Sequence, residues 1–116
     1  MVVAQGDIVW LELPRPVASE PGHARPAVVV QSDAFNRSQL QTIVVVPLTS
    51  NEARAAVPGN VALGPRDQLK KRSIASVAHV SAVDRSWARR RLGRVTSGEL
   101  DAIVTGVMLV LGRLDA

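Results

Sequence analysis

Two uninterrupted runs of β-branched and small residues, Ala27-Val28-Val29-Val30 and Thr42-Ile43-Val44-Val45-Val46, set the tightest limit on how this chain folds. Valine, isoleucine and threonine lose side-chain freedom in a helix and pack well on a pleated surface, so both runs predict strands. Neither run alternates with polar residues, which suits strands covered by apolar material on both faces. At 116 residues, 47% of them hydrophobic and 21% charged, the chain is expected to be one domain with a real core.

The rest of the sequence adds short strands and one helix. Gly6 to Leu13 reads as a strand, with Trp10 and Glu12 opposed to Val9, Leu11 and Leu13, and Pro14 and Pro16 end it. A loop is expected over residues 14–24, and a polar connector over Ser32 to Ser38 with room for one helical turn. A second loop covers residues 51–59, followed by strands at Asn60 to Leu63, Ser73 to Val80 and Leu92 to Val95. Thr96-Ser97-Gly98-Glu99 fits a capping box, after which Leu100, Ile103, Val104, Val107, Met108 and Leu111 recur at helical spacing. The helix is predicted from Ser97 to about Leu111, with Gly112 near its C-cap. Gly106 in its middle points to close packing. Leu109, Val110 and Leu114 widen its apolar face, either because the helix is deeply buried or because it meets a second subunit; the second reading is preferred. Short strands followed by a C-terminal helix indicate a mainly β fold, a small antiparallel barrel with the helix packed on it.

Several chemistries are excluded. There is no cysteine, hence no disulfide, thiol nucleophile or thiolate metal site, and the two histidines, His23 and His79, make a histidine zinc site improbable. No phosphate loop, nucleotide fingerprint or nucleophile elbow is present. The opening Met1-Val2-Val3-Ala4-Gln5 lacks the positive and apolar regions of a signal peptide, and the longest apolar run, Val107 to Leu111, is far short of a membrane span, so a cytoplasmic location is expected.

Charge is unevenly placed. Arg66, Lys70, Lys71, Arg72, Arg85, Arg89, Arg90, Arg91 and Arg94 stand against Asp67 and Asp84, so residues 66–94 carry +7 and the rest of the +4 chain carries −3. A basic half suits a polyanion, nucleic acid first. On charge alone, a solvated arginine-rich face explains the pattern nearly as well. Among polar residues, Arg25 stands before the second strand and Thr49-Ser50 after the third. If those strands are antiparallel neighbours, Arg25 and Thr49 meet at one rim of the barrel.

The segments Gly6-Asp7-Ile8-Val9, Ser19-Glu20-Pro21-Gly22-His23-Ala24-Arg25-Pro26, Val28 to Asp33 and Val46-Pro47-Leu48-Thr49-Ser50-Asn51 follow one another as in the MazF/PemK toxins, which the chain resembles over nearly its whole length. The resemblance implies an SH3-like barrel of the CcdB/PemK type. It also implies a homodimeric endoribonuclease of a bacterial type II toxin–antitoxin system, needing no cofactor or metal. Such toxins cut single-stranded RNA through the ribose 2′-oxygen, leaving a 2′,3′-cyclic phosphate and a 5′-hydroxyl. The family's catalytic pair falls on Arg25 and Thr49, and RNA contacts are expected from Ser19, Glu20, Gly22, His23, Phe35, Asn36, Ser50 and His79. Many family members carry a Glu-Gln pair that touches RNA bases where this chain has Ala78-His79, so the recognised sequence is expected to differ. Of the three aromatics, Phe35 is expected to face RNA and Trp10 to lie in the core. A cognate antitoxin with an acidic, disordered segment is the implied partner.

Chemistry agrees with that carry-over. Attack by the 2′-oxygen builds negative charge on the phosphoryl oxygens, which a guanidinium fork and a hydroxyl can both stabilise. Arginine is too weak an acid to give up a proton, so Arg25 reads as an electrostatic clamp. The acceptor of the 2′ proton stays open: His23 has a suitable side chain, though the reading of it as a plain loop residue is preferred. The competing functions are a gyrase poison of the CcdB type, whose Trp-Gly-Ile tail this chain lacks, and a non-catalytic RNA-binding barrel.

Overall fold

A computed structural model of the chain describes residues 1–14 and 24–114. Most of the loop expected over residues 14–24, including Ser19, Glu20, Gly22 and His23, lies outside the described residues. Seven strands follow in chain order: β1 (Asp7–Glu12), β2 (Ala24–Val29), β3 (Thr42–Thr49), β4 (Val61–Leu63), β5 (Ser73–Ala75), β6 (Ser81–Asp84) and β7 (Ala88–Arg94). A single helical turn, α1 (Asp33–Asn36), joins β2 to β3, and α2 (Ser97–Val110) closes the chain.

The strands form one antiparallel sheet in the order β4-β5-β3-β2-β1-β7. β3 carries two partners on its other edge: Thr42–Val45 pair with β6, and Leu48–Thr49 pair with β5. The sheet's outer ends approach each other where Gln68 N donates to Leu92 O of β7 at 2.9 Å. This curling explains the unbroken apolar runs. Ile8, Val28 and Val46 join Val77, Leu92 and Ile103 in one core, while Val9, Ala27, Val29 and Val45 join Leu11, Ile43, Val83 and Ala88 in a second. Both faces of β1–β3 are therefore covered, as the sequence requires.

Two strand expectations are corrected. The strand expected over Ser73 to Val80 ends at Ala75, and Val77–His79 form a 3₁₀ turn before β6 begins. Ser73 through Val77 are all buried, so no alternation of faces holds them in one strand. The strand expected at Leu92 to Val95 begins four residues earlier, at Ala88, and β6 was not expected. The 51–59 loop contains a 3₁₀ turn, Glu52–Ala56, whose start Asn51 caps.

The helix agrees closely with the sequence. Thr96 Oγ1 accepts from Glu99 N at 3.1 Å, and Glu99 Oε1 accepts from Thr96 N at 2.8 Å. Gly112 lies just past the end at φ +71°. Gly106 sits against the Gly59 carbonyl and Val77. Only Ile103 and Gly106 of this helix are buried, which rules out the deeply buried alternative; Met108, Val110, Leu111 and Leu114 are exposed.

Glu99 also receives Arg66 Nη2 at 2.9 Å. Hydrogen bonding to Arg66 holds the Glu99 carboxyl below its ordinary 4.5, partly opposed by burial. A depressed carboxyl stabilises the fold above its unfolded value, and that contribution is lost as pH falls through the lower folded value. Glu99→Gln is expected to lower stability by about 1–2 kcal/mol at neutral pH. The difference from wild type should close in acid below the usual carboxylate range, read by thermal unfolding across pH.

Candidate functional site

Prolines shape the site. The β2–β3 ladder runs through Val29↔Val45 and Val28↔Val46 to Ala27↔Pro47 and stops. Pro26 and Pro47 have no N–H to extend it, so the two strands part beyond that point. Leu48 and Thr49 then pair with Ala75 and Ile74 of β5, while Arg25 and Ala24 stay with Leu11 and Glu12 of β1. Arg25 and Thr49 both line the gap; the sequence places them just outside the second and third strands, whereas β2 begins before Arg25 and β3 continues past Pro47 to Thr49.

That gap is a cleft of about 610 Å³ lined by Arg25, Thr49, Ser50, Trp10, Lys70, Lys71 and Arg90 among others. A smaller pocket of about 170 Å³ shares the same pair and is lined by Arg25, Pro47, Leu48, Thr49, Arg54, Ser76 and His79. Arg25 and Thr49 are half-buried, and Ser50 and His79 are exposed. Thr49 Oγ1 accepts from Asn51 N at 3.2 Å, so one lone pair is used and the hydroxyl proton is available to an anion. Asn51 Oδ1 accepts from Ala53 N at 3.1 Å, which fixes the start of the turn that carries Arg54.

Of the described residues expected to touch RNA, Ser50 and His79 stand beside Arg25 and Thr49, whereas Phe35 and Asn36 do not. Both belong to α1, which follows the end of β2 opposite the cleft-lining Ala24, Arg25 and Pro26. Phe35 is 59% exposed there. Asn36 is buried and structural: its Nδ2 donates to Gln31 O at 2.9 Å, and its Oδ1 accepts from Gln31 Nε2 at 3.0 Å.

The basic segment is more divided than its charge suggests. Arg66 pairs with Glu99, Arg72 with Glu52, Arg89 with Glu12, and Arg91 and Arg94 with Asp7. Those five cations are largely neutralised by acids outside the segment. Lys70, Lys71 and Arg90 are the ones delivered to the cleft. Arg90 lies over Trp10 with its guanidinium carbon 5.9 Å from the ring centroid. Trp10, expected in the core, packs one side against it and lends the other to the cleft. Arg54, Lys70, Lys71 and Arg90 were not singled out as site residues. The pairing of their neighbours with acids distant in sequence is the missing signal.

The geometry thus gathers arginines, lysines and a hydroxyl around one open cleft. A family profile described as PemK-like, MazF-like toxin of type II toxin–antitoxin system matches residues 4–111. The chain is 34% identical over 112 residues to the endoribonuclease MazF6 of Mycobacterium tuberculosis, covering 96% of this chain and 98% of that one. It is 24% identical over 116 residues to the endoribonuclease EndoA of Bacillus subtilis, covering 99% of each. Its fold is similar to that of MazF in a MazE–MazF crystal structure from Deinococcus radiodurans, with a TM-score of 0.79 at 23% identity over 98% of this chain and 99% of that one. With the profile spanning nearly the whole chain and a relative this similar end to end, the chain belongs to the PemK-like, MazF-like toxins of type II toxin–antitoxin systems.

Proposed function

We propose that this chain is a toxin endoribonuclease that cuts single-stranded RNA by attack of a ribose 2′-oxygen on the adjacent phosphorus. The observation that carries the reading is the meeting of Arg25 and Thr49 across the parted ends of β2 and β3, in a cleft also lined by Lys70, Lys71 and Arg90. Its relatives' names as endoribonucleases support the same reading. Arg25 clamps the phosphoryl oxygens as their charge grows, and Thr49 donates its hydroxyl proton to one of them. The lysines and Arg90 hold flanking phosphates, and Trp10 offers a surface for a base. The products are a 2′,3′-cyclic phosphate and a 5′-hydroxyl, and no metal takes part.

The chain works as a single toxin domain in a cytoplasmic homodimer. The exposed Met108, Val110, Leu111 and Leu114 at the end of α2 are apolar surface that a second copy would cover. Among the described residues no helix is long and apolar enough to cross a membrane. An antitoxin with an acidic, disordered segment fits the same cleft, its carboxylates taking the place of phosphates.

The test is incubation of a long synthetic RNA with the protein in EDTA, followed by mapping of both cut ends. Cleavage at short recurring sequences with cyclic-phosphate and 5′-hydroxyl ends is expected. Loss of cutting in chelator, or 5′-phosphate ends, would overturn the mechanism. RNA that is bound and never cut would leave a non-catalytic RNA-binding barrel instead.

A further inference from the structure

An electrostatic clamp and a hydroxyl donor leave one role in the proposed reaction unfilled, because the 2′-hydroxyl must lose a proton as its oxygen attacks. Arginine is protonated throughout the working range, and a threonine hydroxyl is a poor base. Among the described residues, the small pocket against Arg25 and Thr49 contains one side chain suited to that task, His79. Imidazole is the group whose ordinary titration falls between pH 5 and 8.

The turn that breaks the expected strand puts it there. His79 N donates to Ser76 O at 3.1 Å and Val80 N to Val77 O at 3.2 Å, which folds residues 76–80 back on themselves. Ser76 N donates in turn to Pro47 O at 3.0 Å, tying the turn to the strand that carries Thr49. Val77 is fully buried under α2, and its N–H is held by Asn60 Oδ1 at 3.0 Å, so the turn is fixed from beneath. The ring is also oriented: Ser76 Oγ lies 2.7 Å from His79 Nδ1. With Nδ1 engaged, Nε2 is the nitrogen left for a ligand in the pocket the ring lines.

We propose that His79 is the proton acceptor for the 2′-hydroxyl, with Ser76 as its positioning residue. This rests on the endoribonuclease reading above. In the reactive tautomer Nδ1–H donates to Ser76 Oγ, and the Nε2 lone pair takes the 2′ proton. The 2′-oxygen–phosphorus bond forms, the phosphorus–5′-oxygen bond breaks, and the departing 5′-oxygen takes a proton from water. The imidazolium returns its proton to the hydroxide that leaves, so the cycle closes without net proton change. Among the described residues, the charged groups that line the pocket with His79 are Arg25 from β2 and Arg54 from the 3₁₀ turn after β3.

The experiment is single-turnover cleavage of a short RNA under excess protein, across pH 5 to 9, for wild type, His79→Ala and Ser76→Ala. His79→Ala is expected to cut bound RNA roughly 10²–10⁴-fold more slowly, to lose the acid limb of the wild-type profile and to regain rate on addition of free imidazole. Ser76→Ala is expected to fall roughly tenfold and keep the acid limb. His79 is exposed, so its removal should leave thermal unfolding unchanged, and RNA affinity is measured in parallel. His79→Ala cutting bound RNA at the wild-type rate, or with an unchanged acid limb, would overturn the assignment, as would a loss confined to RNA affinity. If wild type itself leaves RNA intact, the endoribonuclease reading falls first and the assignment of His79 falls with it.

Discussion

Arg25→Ala is expected to slow cleavage of bound RNA by roughly 10²–10³-fold or more while leaving RNA affinity within about tenfold of wild type. The asymmetry follows from where charge changes. In the ground state the phosphodiester carries one negative charge, which Lys70, Lys71 and Arg90 along the cleft would help to hold on the proposed reading. In the transition state a second charge builds on the phosphoryl oxygens, and only groups aimed at that atom see it fully. Arg25 is at the parting of β2 and β3, where its planar fork can reach two oxygens at once. Arg25→Lys keeps the charge and loses the fork, so it should restore only part of the rate. Thr49→Ala should cost a similar order of magnitude, and Thr49→Ser should recover most of it, because the hydroxyl proton is what acts. Both positions are half-buried at a rim and outside the two cores, so the folded state should survive these changes. Wild-type single-turnover rates in Arg25→Ala and Thr49→Ala would remove the pair from the chemistry.

Two β-branched runs read as antiparallel neighbours were enough to bring Arg25 and Thr49 to one rim, and β2 and β3 do pair in that sense; the assignment of the two as a catalytic pair came from the resemblance to the MazF/PemK toxins. The C-terminal helix was equally legible, since its capping box, apolar spacing and terminal glycine each specify the same limits. Failures came where the deciding interaction was distant. Ala88 to Arg94 reads as a charge run, yet it is a seven-residue strand paired with β1. Its arginines find Glu12 and Asp7 across the pairing, so what hides the strand in the sequence also stabilises it.

The turn at Val77–His79 was missed for a related reason. Nothing local forbids Ser73 to Val80 from running on as a strand. The chain turns where Val77 packs against Ile103 and Gly106 of α2, a contact distant in sequence. His79 was expected as an RNA contact from the family resemblance, and the turn brings it to line one pocket with Thr49. Phe35 and Asn36 illustrate the converse. A polar connector between two strands looks like a binding loop, and here Asn36 spends its amide inside the protein, on Gln31.

Gly106→Ala is expected to cost about 2–4 kcal/mol, a fall in melting temperature of roughly 10–20 °C. The ordinary effect of this substitution inside a helix is the opposite, a gain of up to about 1 kcal/mol, because alanine is the better helix former. Here a Cβ would meet the Gly59 carbonyl oxygen at a separation no real side chain tolerates, and Val77 Cγ1 at 2.9 Å. Neither neighbour can yield easily. Gly59 is held in a turn at φ +86°, where other residues are strained, and Val77 is fully enclosed by the core. The helix must therefore lift, opening the packing of its Ile103 against Val77 and Leu63 that closes one side of the barrel. Gly98→Ala in the first turn of the same helix is the matched control. Its Cβ would find only Thr96 Oγ1, at 4.0 Å, so that variant should be neutral or slightly stabilised. Thermal unfolding of the two proteins side by side isolates packing from propensity. Because Val77 begins the turn that bears His79, Gly106→Ala should also slow RNA cleavage at temperatures well below its own melting transition, whereas Gly98→Ala should not. A Gly106→Ala protein that melts with wild type would mean the helix moves off Gly59 without cost, and the close approach would then have no part in fixing the turn.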